Sequence, residues 1–302
     1  MVWVHELSPE QVDAVRALLL AARARDGRPE VDAKGPLPSE FAAGPHLLGS
    51  VDDTLVGYGH LDEAGDVFGR QVAELIVHPG HRGNGHGSAL FGEITERASG
   101  TMRAWSHGDH PAAAIIAQRA GLIRVRELLR MHADLTGVPL DQPALPPGVR
   151  IRTFQPGIDE RAVIEVNARA FSWHPEQGAM TVDDLLAGER EDWFEPGGFF
   201  LAHSGRRVLG FHWTKVHPPA PDPTADPFGG EQVGEVYVVG VDPDVHGGGV
   251  GTALTVVGLA HLRALGLRHV VLYVEGDNAP AVAVYSRLGF RTQATDVQYE
   301  RS

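Results

Sequence analysis

One block of sequence occurs twice, in the same order, and this duplication restricts the folds open to the chain more than any other feature. In the first half it reads "AELIVHPGHRGNGHGSAL" and in the second "VYVVGVDPDVHGGGVGTAL". Aligning Pro79 with Pro243 sets Arg82 on His246, Gly85 on Gly249 and Gly87 on Gly251, an offset of 164 residues. Downstream, "AWSHGDHPAAAIIAQRAGL" matches "LYVEGDNAPAVAVYSRLGF", with Gly121 on Gly289 at an offset of 168. Two ordered matches at nearly one offset predict a repeated domain. The length of 302 residues agrees with about two domains.

Each copy reads as a mixed α/β unit. The first opens with "SPEQVDAVRALLLAARAR", an amphipathic helix with Ser8 as N-cap and Pro9 at its first position. The second opens with "DERAVIEVNARAF". Strands follow in both, then a glycine loop, a helix, a strand, a short helix and a last strand. The segment Gly137–Gly148 holds four prolines and two glycines, which oppose helix and central strand alike. The expected division is therefore 1–136, a joining segment 137–149, and 150–302. A second proline-rich stretch, His217–Gln232, reads as an excursion between strands.

The glycine loops sit between an apolar strand and a helix. Backbone N–H groups at a helix start form an anion nest, and the helix dipole adds positive potential there. Glycine lets a phosphate reach those N–H groups where a Cβ would hold it off. The G-x-x-x-x-G-K-[ST] pattern is absent, which excludes a P-loop nucleotide hydrolase. A dinucleotide fold would place its loop early in a βαβ unit, with an acid about 20 residues on. Here the loop comes late. The pattern is instead [R/Q]-x-x-G-x-G, intact as Arg82-x-x-Gly85-x-Gly87 and altered as His246-x-x-Gly249-x-Gly251.

With the second block, Asn278, Ala281, Tyr285, Gly289 and Phe290, both halves resemble acetyltransferase domains of the GNAT superfamily. "RELLRMHADL", "FSWHPEQGAMT", "GFHWTKVHP" and "GEVYVVGVDP" narrow the resemblance to the mycothiol synthase family of tandem GNAT enzymes. The resemblance implies two domains, each a mixed, mostly antiparallel sheet flanked by helices. It implies acetyl-CoA as co-substrate and the cysteinyl amine of cysteinyl-glucosaminyl-inositol as acceptor, acetylated directly without an acyl-enzyme. It places the cofactor on Val239, Gly240, Val241, His246, Gly247, Gly248, Gly249, Val250, Gly251, Thr252, Asn278 and Ala281 in the second half. In the first half the corresponding set is Leu75, Ile76, Val77, Arg82, Gly83, Asn84, Gly85, His86, Gly87 and Ser88. The chain departs from the family in its second loop, where His246-Gly247-Gly248 replaces basic residues.

For catalysis the resemblance implies Glu235 as the base that activates the amine and Tyr285 as the acid that protonates the departing thiolate. Glu176, Lys215, Glu235 and Tyr273 are the substrate-binding residues it implies. Lys215 also stands out by composition, because the only other lysine is Lys34. By residue alone, Tyr285 reads better as a core tyrosine, Glu235 reads as well as a strand-end carboxylate, and Lys215 has the alternative of a surface cation. Carried back by the offsets, Tyr285 falls on Ala117 and Glu235 on Gln71, so the first half is expected to bind acetyl-CoA without catalysing. In the first half, Asp32 or Glu40 is the acid expected to reach the substrate, and the sequence leaves the choice between them open.

Composition bounds the partners. A net charge of −13 argues against a nucleic-acid surface, and no apolar run reaches the length of a membrane span. The start carries no secretory pattern, and there is no cysteine, so a cytoplasmic protein without disulfide or thiolate metal site is expected. The sixteen histidines match no helical zinc motif and read as loop residues, so no metal is expected. A fused pair of domains suggests a monomer, and the resemblance implies a small thiol-sugar as its substrate.

Overall fold

The computed structural model describes all residues except 28, 30, 32, 39, 40, 42, 43, 67, 142, 143, 174–176, 220–226, 246, 247 and 302. The elements of the first half are β1 (Val2–Val4), α1 (Pro9–Asp26), β2 (His46–Val51), β3 (Thr54–Asp62), β4 (Gln71–Val77), α2 (His86–Arg97), β5 (Met102–Ser106), α3 (Pro111–Arg119) and β6 (Ile123–Asp134). Then come β7 (Val149–Thr153), α4 (Glu160–Ala170), α5 (Val182–Gly188), β8 (Phe199–Ser204), β9 (Arg207–His217), β10 (Val233–Val241), α6 (Val250–Ala264), β11 (His269–Glu275), α7 (Ala279–Arg287) and β12 (Arg291–Arg301).

The chain forms two compact units, Met1–Leu128 with Ala294–Ser302, and Leu129–Gln293. These are not simple halves of the sequence. β6 leaves the first unit at Leu128, and β12 re-enters it at Ala294. In the first unit the strand order is β1-β2-β3-β4-β5-β12. Only β4–β5 is parallel there, while β5 takes Val297–Arg301 of β12 as an antiparallel neighbour. In the second unit the order is β6-β11-β10-β9-β8-β7, with β10–β11 parallel and β7 to β10 antiparallel.

Local rules account for the helices. The Ser8 hydroxyl accepts from the Gln11 N–H, and the Gln11 side chain returns the bond, a capping box in front of Pro9. Helix α1 stops at Gly27, whose φ of 75° is the left-handed conformation that ends helices. Leu90, Phe91 and Ile94 of α2 bury one stripe against Leu47, Leu61 and Ala73. Leu259 and Leu262 of α6 bury the equivalent stripe against Val270 and Leu272. Each side chain buried this way contributes about 1.5–3 kcal/mol. Gly258 lets α6 press on β9, since a Cβ there would stand 2.1 Å from the ring of the fully buried His212.

Candidate active site

The second unit's sheet opens at a defined point. β10 pairs with β11 only from Val233 to Val236, yet continues along β9 to Val241. The β9 register slips at Tyr237, a bulge that adds one residue to β10 and bends it away. Val239, Gly240 and Val241 therefore border a gap on the β11 side. Gly240 is required there, because a Cβ would lie 2.6 Å from the Phe211 ring.

Glu235 lies just before the gap. It is buried at 7% exposure and faces Lys215 across the β9–β10 ladder. The His217 Nε2 stands 2.5 Å from its Oε2. The Lys215 ammonium lies 4.5 Å from the Trp193 ring and 5.3 Å from that of Tyr237, within cation–π range of both. Glu235, Lys215 and His217 so form one polar group on one sheet face, with Trp193 and Tyr237 as its apolar wall. Burial, then the charges of Glu235 and Glu191, raises the Tyr237 phenol above its ordinary value.

Tyr285 lies on α7 and packs against the same core cluster that Val239 borders. Its ring meets Phe290 edge-on at 5.8 Å. Burial pushes its phenol up to about 12, so it stays protonated at neutral pH and keeps a proton to donate. Asn278 caps α7, its side-chain oxygen accepting from the Ala281 N–H. Tyr273 is exposed on β11, on the face opposite buried Leu272 and Val274.

The second glycine loop leads into α6. Gly249 is its N-cap at φ 75°, and Val250, Gly251 and Thr252 form its first turn. The proline-rich segment comes close. A Cβ on Gly248 would meet Pro146 Cγ at 3.2 Å, and one on Gly249 the Ala144 carbonyl at 3.8 Å. His246, Gly247 and Glu176 lie outside the described residues, as do Asp32 and Glu40.

The first unit carries a cavity of about 630 Å³ over its own glycine loop. Leu75, Ile76, Val77, Arg82, Gly83, Gly85, His86, Gly87 and Ser88 line it, while Asn84 turns its amide to the His81 carbonyl. Gly83 and Gly85 have φ of 80° and 86°, and a Cβ on either would meet nothing within 4 Å. With the α2 N-terminus and Arg82, this donor set fits a diphosphate. Arg82 is already engaged, however, in a two-pronged pair with Asp26 at 2.9 and 2.5 Å. Ala117 lines the cavity where the second unit has Tyr285.

Strand pairing refines one alignment. Ala73 pairs with Ala104 as Val236 pairs with Leu272, so Glu235 corresponds to Val72 rather than Gln71. The bulge at Tyr237, which β4 lacks, accounts for the single-residue difference. Neither residue is acidic. The first unit has another polar group in its place: His107 lines the cavity, 3.2 Å from Glu74 and 3.4 Å from Asp296. Burial alone would lower the His107 imidazole, but the two carboxylates outweigh it and raise it to about 10.

His217, Trp193, Tyr237 and Asp26 were not singled out by sequence. Only His217 left a trace there, two residues beyond Lys215 on the same face of a strand. Among the described residues no group of three or more His, Cys, Asp or Glu could hold a metal ion, and no helix is long and apolar enough to cross a membrane. His78, His81 and His86 pack ring to ring, at 5.5 and 6.4 Å.

The Acetyltransferase (GNAT) family profile matches residues 14–121 and again 163–290. The chain belongs to the GNAT acetyltransferase family. The expected mixed α/β fold with two tandem GNAT domains is borne out, and acetyl-CoA is the donor that GNAT acetyltransferases use. A protein of Saccharomonospora viridis called mycothiol acetyltransferase is 60% identical over 304 residues, covering 99% of this chain and 97% of its own. A second of that name, from Amycolatopsis mediterranei, is 56% identical, covering 99% and 98%. The resemblance drawn from the motifs therefore holds. Among solved structures, a GCN5-related N-acetyltransferase from Sphaerobacter thermophilus superposes with a TM-score of 0.69 at 22% identity, covering 99% of this GNAT chain and 95% of its own. A tandem GNAT protein from the clavulanic acid biosynthesis pathway gives 0.63 at 20%, covering 99% and 98%. These two likenesses speak to the fold alone.

Proposed function

We propose that this GNAT chain acetylates the cysteinyl amine of cysteinyl-glucosaminyl-inositol, the last step of mycothiol formation, as the name of its relatives suggests. The observation that carries the reading is the buried Glu235 at the edge of the β10–β11 gap, with Lys215 beside it and the Tyr285 phenol held protonated nearby in the same core. Acetyl-CoA supplies an acetyl thioester. The other roles belong to the chain. An α-amine with a pKa of about 7.7–8 must lose a proton to attack, and the Glu235 carboxylate takes it. Backbone N–H groups around Val239 hold the thioester oxygen as it gains charge. Tyr285 donates to the departing sulfur. Lys215 and Tyr273, with Glu176, hold the hydroxyls and carbonyl of the acceptor. The reading needs no metal.

In this proposal chemistry belongs to residues 150–302, residues 137–149 join the domains, and residues 1–136 carry a site that binds acetyl-CoA without turnover. Ala117 supports the last point, because the position that matches Tyr285 carries a methyl group and no phenol. The second site consists of Val239–Val241, His246–Thr252, Asn278 and Ala281, and the first of Leu75–Val77 and Arg82–Ser88. The protein works as a cytoplasmic monomer.

The test is turnover of purified protein followed by mass spectrometry, with acetyl-CoA and the cysteinyl compound, an aminoglycoside and a peptide amine side by side. Acetylation of the cysteinyl compound alone supports the proposal. Acetylation of another amine alone removes the acceptor while leaving a GNAT enzyme. No acetylation of any amine would indicate an acetyl-CoA-binding module.

A further inference from the structure

We propose that His217 is the proton outlet of Glu235, a positioning residue that acts through that carboxylate. The inference rests on Glu235 being the base. It starts from a difficulty that such a base creates. Carboxylates bind protons weakly near neutrality, and an amine of the acceptor's class arrives largely as ammonium. A buried carboxylate that takes this proton must pass it on before the next turnover. Glu235 is nearly closed to solvent, with a side chain 9% exposed.

His217 satisfies the geometry of an exit. Its Nε2 is 2.5 Å from Glu235 Oε2, while its ring is 38% exposed and so touches both the carboxylate and water. Imidazole is the side chain that exchanges protons most readily near pH 7, and its two nitrogens allow entry at one and exit at the other. The strands enforce the contact. His217 pairs with Val233 and Lys215 with Glu235, so His217 and Lys215 point to the Glu235 face from one side of β9.

The step balances. The acceptor N–H bond breaks and an O–H bond forms on Glu235. That proton then moves from Oε2 to the bare Nε2 of neutral His217 as the Nδ1–H proton leaves to water, and proton exchange of the exposed ring with water returns the starting tautomer before the next turnover. One proton crosses from the amine to solvent, and no electrons are gained or lost.

The other charged and titratable groups bearing on the pair do not offer this route. On β9, Lys215 holds its ammonium over the rings of Trp193 and Tyr237 and has no lone pair with which to take a proton. On β10, the Tyr237 phenol is held in its neutral form by burial and by the charges of Glu235 and Glu191. Glu191, in the segment after α5, acts on Tyr237 as a negative charge that disfavours the phenolate.

The test compares His217→Ala, His217→Gln and Glu235→Gln in the full chain, each checked for the wild-type thermal midpoint. Both His217 variants should lose roughly 100-fold in kcat, with the KM for the amine changing by less than about threefold. The acid limb of their kcat/KM profile should move. Added imidazoles should restore His217→Ala, more strongly as their basicity rises, and should leave Glu235→Gln inactive. Wild-type turnover in His217→Gln would overturn the proposal, since glutamine can hold a carboxylate in place but cannot carry a proton. A His217→Ala loss that no imidazole restores would overturn it as well. If Glu235→Gln itself turns over normally, the base assignment fails first. If Glu235→Gln is dead while both His217 variants are active, only the outlet fails.

Discussion

Asp26 is expected to weaken acetyl-CoA binding in the first unit, and Asp26→Asn should strengthen it. Arg82 is the only guanidinium on that glycine loop, and both its terminal nitrogens already face the Asp26 carboxylate, at 2.9 and 2.5 Å. Its Nε is fixed on the Val77 carbonyl at 3.1 Å, so the head cannot swing far. The side chains are 29% and 32% exposed, which places the pair near the upper end of surface ion pairs, about 1 kcal/mol. A diphosphate that takes Arg82 must displace or share this contact. It also meets a like charge across the guanidinium. At about 7 Å and an effective dielectric of about 60, that repulsion is about 0.8 kcal/mol. Together the terms give roughly 1.8 kcal/mol, about a 20-fold change in Kd. Titration calorimetry of acetyl-CoA into the full chain should show two sites, with Asp26→Asn tightening the first-unit site by that factor. Arg82→Ala, as a control, should weaken the same site. A Kd for Asp26→Asn within twofold of the parent would refute the reasoning.

Three further outcomes follow from described geometry. Tyr285→Phe should lower kcat by about 10²–10⁴-fold, and, because the phenol is pushed up to about 12, wild-type kcat should show no Tyr285-dependent loss between pH 7 and 10; a basic limb in that window that vanishes in the variant would count against it. Gly258→Ala forces a Cβ to within 2.1 Å of the buried His212 ring and should cost at least about 1–3 kcal/mol, read as a lower melting temperature. The His107 imidazole is raised in the folded state from its ordinary 6.5 to about 10, so its stabilising share is complete below pH 6.5 and disappears as pH rises through 10; the melting temperature should fall over that range in the parent and more shallowly in His107→Gln.

What the sequence disclosed was what short-range rules write into it. Ser8 caps a helix because the capping side chain lies three residues from its partner. The glycine loops were visible because conformation and crowding act residue by residue there. Features built from distant strands left no such mark. The bulge at Tyr237 exists only against β9, and it is what moves the counterpart of Glu235 from Gln71 to Val72. The His107 group joins Glu74 on β4 to Asp296 on β12, residues that only the paired sheet brings together. Asp26 reaches Arg82 across 56 residues, a contact no spacing announces.

The return of the last strand has a consequence for how this protein is made. The first unit ends its main run at Leu128 but takes Ala294–Ser302 as part of itself. At about 5–20 residues per second, a ribosome needs roughly 9–35 s to deliver those residues after Leu128 has been added. Throughout that interval the β5 edge that will hold Val297–Arg301 has no antiparallel neighbour from β12. An emerging chain in that condition presents an open sheet edge, the kind of surface to which chaperones and other nascent chains attach. A protein cut after residue 136 would remain in that condition permanently.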